Sequence, residues 1–180
     1  MRALETKRLL MRPFANDDMG IHEVIFSDPE VCRFYCGKTR TPEHTREWLI
    51  YRKHQAQSDD GLGFLAVVRK EDQRIVGLVA LQLCVAYWLI LEEAPDSPFN
   101  PLTVELSYAF GRAYQNQGYA TEACLALIEY GFVEMRLPRL VNGVVVENEP
   151  SVRLVERLGF QRRLNLNGHC PVWVLENDRV

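Results

Sequence analysis

A chain of 180 residues, of which 47% are hydrophobic and 25% charged, has the composition of a globular domain rather than of a disordered or fibrous protein. Its formal net charge of −3 lacks the basic excess with which proteins attach to nucleic acid or anionic lipid. We therefore expect one domain over residues 1–180 that binds neither nucleic acid nor a membrane.

Sequence features that govern location favour the cytoplasm. The longest apolar run, residues 76–91, is shorter than the roughly 20 residues of a membrane-spanning helix. The first residues, MRALETKRLLMRPF, carry charges throughout and lack the apolar core of a secretory signal. Five cysteines suit reduced thiols, and Cys32 with Cys36 lack a second pair at zinc spacing, so no metal site is expected.

The N-terminal segment predicts one strand and one helix. A strand is expected over residues 8–14, where Pro13 ends it. Asn16 and Asp17 then offer side-chain caps for a helix over residues 19–27.

The next segment predicts a helix, a hairpin and a long loop. Thr41 as a cap and Pro42 in the first helical position begin a helix that runs to about residue 57. Residues 64–68 and 75–85 have the pattern of two antiparallel strands. Three prolines in residues 92–101 exclude regular structure and predict a stiff loop.

The C-terminal half predicts a strand over residues 103–109, then a helix from the following loop to about residue 134. A second strand is predicted over residues 140–146. Such a unit normally forms a parallel pair of strands with a right-handed crossover. A further helix begins at Asn148 and is stopped by Gly159, and residues 172–175 have strand potential. The order of elements indicates an α+β or mixed α/β fold.

The sharpest local feature is residues 115–120, where a predicted strand turns through a polar loop containing Gly118 into an amphipathic helix. The first N–H groups of a helix lack intrahelical partners and carry partial positive charge, which makes them an anion site. The helix is pinned by apolar residues at helical spacing, namely Ala120, Ala123, Cys124, Leu127, Ile128 and Phe132. The glycine patterns of nucleotide P-loops and dinucleotide sites are missing, so an ordinary strand-to-helix turn is the alternative.

The residues of this loop, Gln115, Asn116, Gln117, Gly118, Tyr119 and Ala120, resemble the Gln/Arg-x-x-Gly-x-Gly/Ala loop of the GNAT acetyltransferases. Thr121-Glu122-Ala123 and the opening Thr6-Lys7-Arg8-Leu9-Leu10-Met11-Arg12-Pro13 are similar to the Rim-type branch, which acetylates N-termini of ribosomal proteins. The resemblance implies the GNAT fold, a central mixed sheet with splayed strands flanked by helices. It also implies acetyl-CoA as cofactor and CoA as product, with the pyrophosphate held by these loop residues and Thr121.

The resemblance assigns a catalytic role to Glu105, which lies early in the strand before the loop. In the family, a glutamate in a similar position acts as general base through water. Alternation along the strand places Ser107 on the same face and Leu106 on the other. A solvated charge at a sheet edge, or an ion-pair partner, is the alternative and remains open at this point.

Two residues at the start of the last helix complete the implied site. Asn148 matches an asparagine that binds the cofactor arm in the family, although capping the helix is an equal alternative. Ser151 resembles a residue that donates a proton in Rim-type enzymes. Many relatives place a tyrosine seven residues after the asparagine as general acid, but this chain has Val155 there.

Further cofactor contacts follow from the resemblance. The pantetheine arm is expected to pair with free backbone groups around Ala109 and Phe110, where two parallel strands splay apart. Arg112 is expected to lie near the 3′-phosphate, to which a guanidinium binds well.

The expected partner is a primary amine, either a peptide N-terminus or a small molecule, and the chain is expected to be a monomer or a homodimer. An acidic segment, residues 92–96, could attract a cationic acceptor, and a solvated acidic loop is the commoner alternative. The missing tyrosine at Val155 favours an alternative, a non-catalytic acyl-CoA-binding or regulatory module on the same fold.

Overall fold

The structure is a computed structural model that describes residues 1–56, 60–85, 102–163 and 171–178, with backbone alone at residues 85 and 102. The described residues form an eight-stranded mixed sheet with helices, in the strand order β1-β2-β3-β4-β5-β6-β8-β7. The strands are β1 Leu4–Glu5, β2 Leu9–Pro13, β3 Gly63–Arg69, β4 Ile75–Val85, β5 Leu102–Phe110, β6 Arg139–Gly143, β7 Gln161–Arg163 and β8 Val172–Glu176. The expected mixed α/β fold is confirmed.

Four α-helices and three shorter helical turns are described. The α-helices are α1 Pro29–Tyr35, α2 Pro42–Gln55, α3 Tyr119–Glu129 and α4 Glu149–Arg157. A π-helical turn, His22–Phe26, precedes α1, a 3-10 turn, Arg112–Tyr114, precedes α3, and a second π-helical turn, Tyr130–Glu134, extends α3.

The sheet changes direction at β5. Among the described strands, neighbours pair in antiparallel fashion except β5 and β6, which are parallel and joined through α3 as the strand-helix-strand pattern predicts. Their registered pairing is confined to Glu105 opposite Val141. The two strands therefore part beyond Glu105, and the expected splay is present.

Of three buried hydrophobic clusters among the described residues, the two larger ones cover the two faces of the sheet. On what we call the α3–α4 face, Leu106 and Phe110 of β5 pack with Ala123, Leu127 and other apolar residues of α3 and α4. On what we call the α1–α2 face, Ala109 packs with a cluster that includes Val31, Trp48 and Phe64. Because β5 residues alternate between faces, Glu105 and Ser107 belong to the α1–α2 face.

Several predicted helix boundaries and the predicted hairpin are confirmed. Thr41 Oγ1 accepts a hydrogen bond from the His44 N–H at 3.3 Å, so it caps α2, and Pro42 is the first helical residue. The β3–β4 hairpin is antiparallel as predicted. Gly159 has a φ of +90°, which suits a glycine just after a helix.

The helix predicted over residues 19–27 is present over residues 20–26, but the caps predicted for it are wrong. Asp18 forms an ion pair with Arg12 at 2.7 Å and accepts from the Ala15 N–H, so the turn before the helix is fixed by this carboxylate and not by Asn16 or Asp17. A separate helix, α1, follows with Asp28 as its cap, and the sequence pattern did not predict it. The strand predicted over 140–146 ends earlier, at Gly143.

Two further findings bear on the expectations. No helix among the described residues is long and apolar enough to cross a membrane. The proline-containing loop expected over 92–101, with its acidic segment 92–96, lies outside the described residues.

Candidate active site

The 115–120 loop leaves the start of α3 without a side-chain cap. Gly118 precedes the helix with a φ of +79°, and Asn116 also adopts a positive φ, of +59°. Glycine adopts this conformation without steric cost, and asparagine tolerates it. Since no side chain caps α3, the N–H groups of Tyr119, Ala120 and Thr121 have no helical or capping acceptor and can serve an anion.

The two glutamine side chains of the loop bond to the backbone of the residues just before it. Gln115 Nε2 donates to the Phe110 carbonyl at 3.0 Å, and Gln117 Nε2 donates to the Ala113 carbonyl at 2.8 Å. These side chains hold the loop in shape, so a ligand would meet the loop's backbone more than its amides.

A network from the N-terminal segment anchors the same loop. Glu122, in the first turn of α3, accepts hydrogen bonds from Thr6 Oγ1 at 2.6 Å, from the Arg8 N–H at 2.9 Å and from Arg8 Nε at 2.6 Å. Arg8 Nη1 also donates to the Gln117 carbonyl at 2.9 Å, and its guanidinium lies over the Tyr119 ring. Burial alone would raise the pKa of Glu122, but these hydrogen bonds lower it. The two segments that resemble the Rim-type branch are thus in direct contact.

Where β5 and β6 part, backbone groups were expected to be free at Ala109 and Phe110, but only Phe110 faces the opening. Gly111 N–H donates to the Val76 carbonyl in the regular β4–β5 register, so by alternation the backbone of Ala109 faces β4 and is already paired. The backbones of Tyr108 and Phe110 face the β6 side. Phe110, whose carbonyl accepts from Gln115, therefore fits the expected pairing with a cofactor arm through its N–H, but Ala109 does not.

Glu105 is half-buried in the interior of the sheet. Its carboxylate accepts a hydrogen bond from Gln82 Nε2 at 2.9 Å, across the β4–β5 pair. Burial raises the pKa of Glu105, and the hydrogen bonds from Gln82 and the Gly143 backbone oppose that shift. Because β5 lies between β4 and β6, the alternative of a solvated edge charge is wrong, and no described cation forms an ion pair with this carboxylate.

The start of α4 brings Ser151 to a tyrosine. The Tyr108 hydroxyl and Ser151 Oγ are 2.7 Å apart, and either can donate. Burial raises the pKa of Tyr108, so this phenol keeps its proton at neutral pH. Val155 is fully buried in the core, and Asn148 makes no side-chain capping bond, which contradicts the capping alternative.

The side chains of Arg112 and Tyr119, two of the expected cofactor residues, are already engaged within the protein. Arg112 Nε forms an ion pair with Asp28 at 2.6 Å, which ties the turn after β5 to the start of α1. The Tyr119 side chain is buried in the core, so only its backbone is available to a ligand. Thr121 is half-buried in the first turn of α3.

Sequence reasoning missed Gln82, Arg8 and the pairing of Tyr108 with Ser151. Gln82 lies opposite Glu105 only in the observed β4–β5 register, which the hairpin pattern alone did not determine. A polar residue inside an otherwise apolar run was the available signal for Gln82. For Arg8, the signal was its place in the opening motif.

The chain matches a known protein family. Residues 8–161 match the acetyltransferase (GNAT) domain. The chain is similar to YnaD of Bacillus subtilis (strain 168), named an uncharacterized N-acetyltransferase, with 31% identity over 159 residues that cover 88% of this chain and 82% of YnaD. It is also similar to p20 of Bacillus licheniformis, which carries the same description, with 26% identity over 162 residues, 90% of this chain and 84% of p20.

Solved structures share the fold. A GNAT-family acetyltransferase from Bacillus anthracis superposes with a TM-score of 0.76 at 24% identity, covering 98% of this chain and 99% of that one. A structure titled ribosomal-protein-S5-alanine acetyltransferase from Vibrio fischeri superposes with a TM-score of 0.73 at 18% identity, covering 99% and 98%. At these identities the likeness is one of fold.

Proposed function

The chain belongs to the acetyltransferase (GNAT) family, and from that premise we propose that it transfers the acetyl group of acetyl-CoA to a primary amine by direct attack on the thioester. The observation that carries the proposal is strand β5, which holds Glu105 beside the opening between β5 and β6 and leads directly into the 115–120 loop. The acceptor is a protein or peptide N-terminus or a small molecule. The protein would act in the cytoplasm as a single domain, monomeric or homodimeric.

The 115–120 loop and the opening between β5 and β6 offer groups that suit the parts of acetyl-CoA. The uncapped start of α3 offers backbone N–H donors suited to a pyrophosphate. The Phe110 N–H faces the opening between β5 and β6, where an extended arm could pair as an additional strand. The Asn148 side chain, which does not cap α4, is available to the same arm. Acetyl-CoA supplies the activated acetyl group.

The chain's own residues account for the proton movements. Attack by the amine forms the new C–N bond and breaks the C–S bond, so one proton must leave nitrogen and one must reach the thiolate. Glu105 would accept the first proton through water, and its raised pKa makes it a stronger base than an ordinary glutamate. Ser151, hydrogen-bonded to Tyr108, would supply the second in place of the residue that Val155 replaces.

The Rim-type likeness favours an N-terminal amine among the acceptors. The α-amine has a pKa of about 8, so it needs only a modest base, whereas a lysine amine, with a pKa of about 10.4, needs a stronger one. The Vibrio fischeri structure carries a title that names a ribosomal-protein-alanine acetyltransferase, which supports the same choice.

A non-catalytic acyl-CoA-binding module is the second candidate, favoured by the fully buried Val155 at the usual tyrosine position. Thiol release from acetyl-CoA with a panel of amines and N-terminal peptides tests both. The enzyme should release CoA in proportion to acetylated amine, and calorimetry should give acetyl-CoA binding on the order of micromolar. Saturable binding without release above hydrolysis would support the module, and no binding at all would overturn both.

A further inference from the structure

Two half-buried arginines lie on the α1–α2 face without a described carboxylate partner. The Arg52 guanidinium lies 3.8 Å from the centre of the Phe64 ring, and Arg40 lies 4.4 Å from that of Phe26. Both also lie near the Trp48 ring, at 5.4 Å and 5.7 Å. Among the described residues, neither guanidinium has an acidic group within salt-bridge distance, whereas most other buried or half-buried arginines do.

Arg52 has unused hydrogen-bonding capacity in a water-poor setting. Its Nη1 donates to Gln55 Oε1 at 2.7 Å, but its buried Nε has no hydrogen-bond partner in the described structure. Burial lowers the pKa of Arg52, and the positive charge of Arg40 lowers it further, while Tyr35 and Tyr51 oppose the shift. A buried donor left unpaired costs free energy unless a ligand satisfies it.

The sheet register places these arginines near the proposed base. Phe64 lies opposite Ala80, and Ala80 lies opposite Ser107, so the three form one row across β3, β4 and β5. With strands about 4.8 Å apart, Phe64 and Ser107 are about 10 Å apart, and Glu105 is two residues further along β5. The row therefore connects the ring beneath Arg52 with the strand that carries the base.

Tyr35 of α1 packs against the hydrophobic cluster of the same α1–α2 face. Burial raises the pKa of the Tyr35 phenol, whereas the charges of Arg52 and Arg40 and a hydrogen bond with the Ser107 side chain lower it. The α1–α2 face thus holds the Glu105 carboxylate on β5 and the guanidinium groups of Arg52 and Arg40 over its aromatic rings.

We propose that Arg52, assisted by Arg40, binds an anionic group of the acceptor, so that the acceptor carries a carboxylate or phosphate on the order of 10 Å from the amine presented to Glu105. This inference rests on the proposed acetyl transfer and narrows its acceptor. A planar guanidinium binds carboxylate and phosphate through paired N–H donors, and the Arg52 guanidinium already lies against the Phe64 ring.

Matched acceptors test the anion directly. Trialanine with a free carboxylate spans about 10 Å from its amine and is compared with its C-terminal amide. For phosphate, 6-aminohexyl phosphate is compared with 6-aminohexanol. The wild type should use the anionic member of one pair with about tenfold or higher kcat/KM, and the pair that shows the preference identifies the anion. Equal use within both pairs would overturn the inference.

Variants of Arg52 test whether this residue is the source of the preference for an anionic acceptor. Arg52→Gln should bring the ratio within the preferred pair to about one while leaving the KM for acetyl-CoA unchanged, and Arg52→Lys should restore part of it. Arg33→Gln removes another arginine that lies over an aromatic ring, Phe34, and should leave the ratio unchanged. If Arg52→Gln keeps the full preference, the assignment is wrong. Thermal unfolding of each variant excludes a folding defect as the cause.

Binding measurements distinguish failure of the proposed anion site from failure of the proposed acetyl transfer. Calorimetry with each of the four acceptor probes in the presence of CoA measures the affinity for the acceptor without turnover. Tight binding of an anionic probe that Arg52→Gln loses, in a protein that releases no CoA, would refute the enzyme and keep the anion site. Turnover with no preference for anions, or no binding of any probe, would refute the anion site.

Discussion

The two ends of strand β5 carry the two halves of the proposed site, and they are built differently. At the C-terminal end, the 115–120 loop presents backbone N–H groups, and side chains such as Gln115 and Arg8 only hold it in place. Nearer the N-terminal end, Glu105 and its surroundings work through side chains from other elements, including Gln82 on β4 and Arg52 on α2. A backbone site depends on local conformation, whereas a side-chain site depends on how distant elements pack.

That difference determines which substitutions each half should tolerate. In the loop half, most side chains can change if the positive φ of Gly118 and the anchoring of α3 are preserved. In the acceptor half, single side-chain atoms matter, because each one provides a proton, a charge or a hydrogen bond. Substitutions in each half, and in the network that anchors the loop, can break or sharpen this contrast.

Glu105→Gln should give the largest loss, about 100-fold or more in kcat at neutral pH, since a general base contributes on that order. Burial raises the pKa of Glu105 and a base acts only above its pKa, so wild-type kcat should fall as the pH drops through this raised value. The deficit of the variant should shrink above about pH 8, where an α-amine is already neutral. Kinetics across this range, with the exposed Glu71→Gln as control, measure both effects, and an unchanged profile would remove the role of Glu105.

Gly118→Ala should weaken acetyl-CoA binding about tenfold, because alanine resists a φ of +79° and its Cβ would lie 3.3 Å from Arg8 Nη2. Calorimetry measures the affinity. Gly37→Ala is the matched control, since Gly37 has a φ of +80° and no atom lies within 4 Å of the position that its Cβ would take. Equal affinity in wild type and Gly118→Ala would contradict a backbone-built cofactor site.

Ser151→Ala and Tyr108→Phe should each lower kcat several-fold, with the double variant little worse than either. The effect is modest because a CoA thiolate is a tolerable leaving group, and it is shared because the two hydroxyls form one hydrogen-bonded pair. Single-turnover kinetics isolate the chemical step. Strictly multiplicative losses would show that the pair does not act as a unit.

Glu122→Gln should have the smallest effect, about 1 kcal/mol of stability at neutral pH, discounted for the partial exposure of Arg8. The folded state lowers the pKa of Glu122, so its contribution is present above the unfolded pKa of about 4.3 and is lost as the pH falls through the lower folded value. Urea unfolding at several pH values should show the wild-type advantage disappear in acid. An advantage that persists in acid would exclude the carboxylate as its source.

The sequence by itself determined the elements whose cause is local. Thr41 and Pro42 begin α2, Gly159 follows the last turn of α4, and the glycine-bearing loop before α3 is an uncapped helix start. Each of these depends on φ preferences and hydrogen bonds within a few residues, which a sequence states directly. The parallel β5–β6 pair also followed, because a strand-helix-strand unit has one usual handedness.

Only the tertiary structure decided which residues meet across the sheet and between helices. The cap of the first helical segment was misplaced because Asp18 pairs with Arg12 of β2. Ala109 was paired with β4, Glu105 received Gln82 as its partner, and Arg52 came to lie over Phe64, all through strand register and helix packing. Apart from the Arg12–Asp18 pair, these contacts join separate elements of the chain, and their register is fixed by burial of the whole apolar pattern, which no short segment contains.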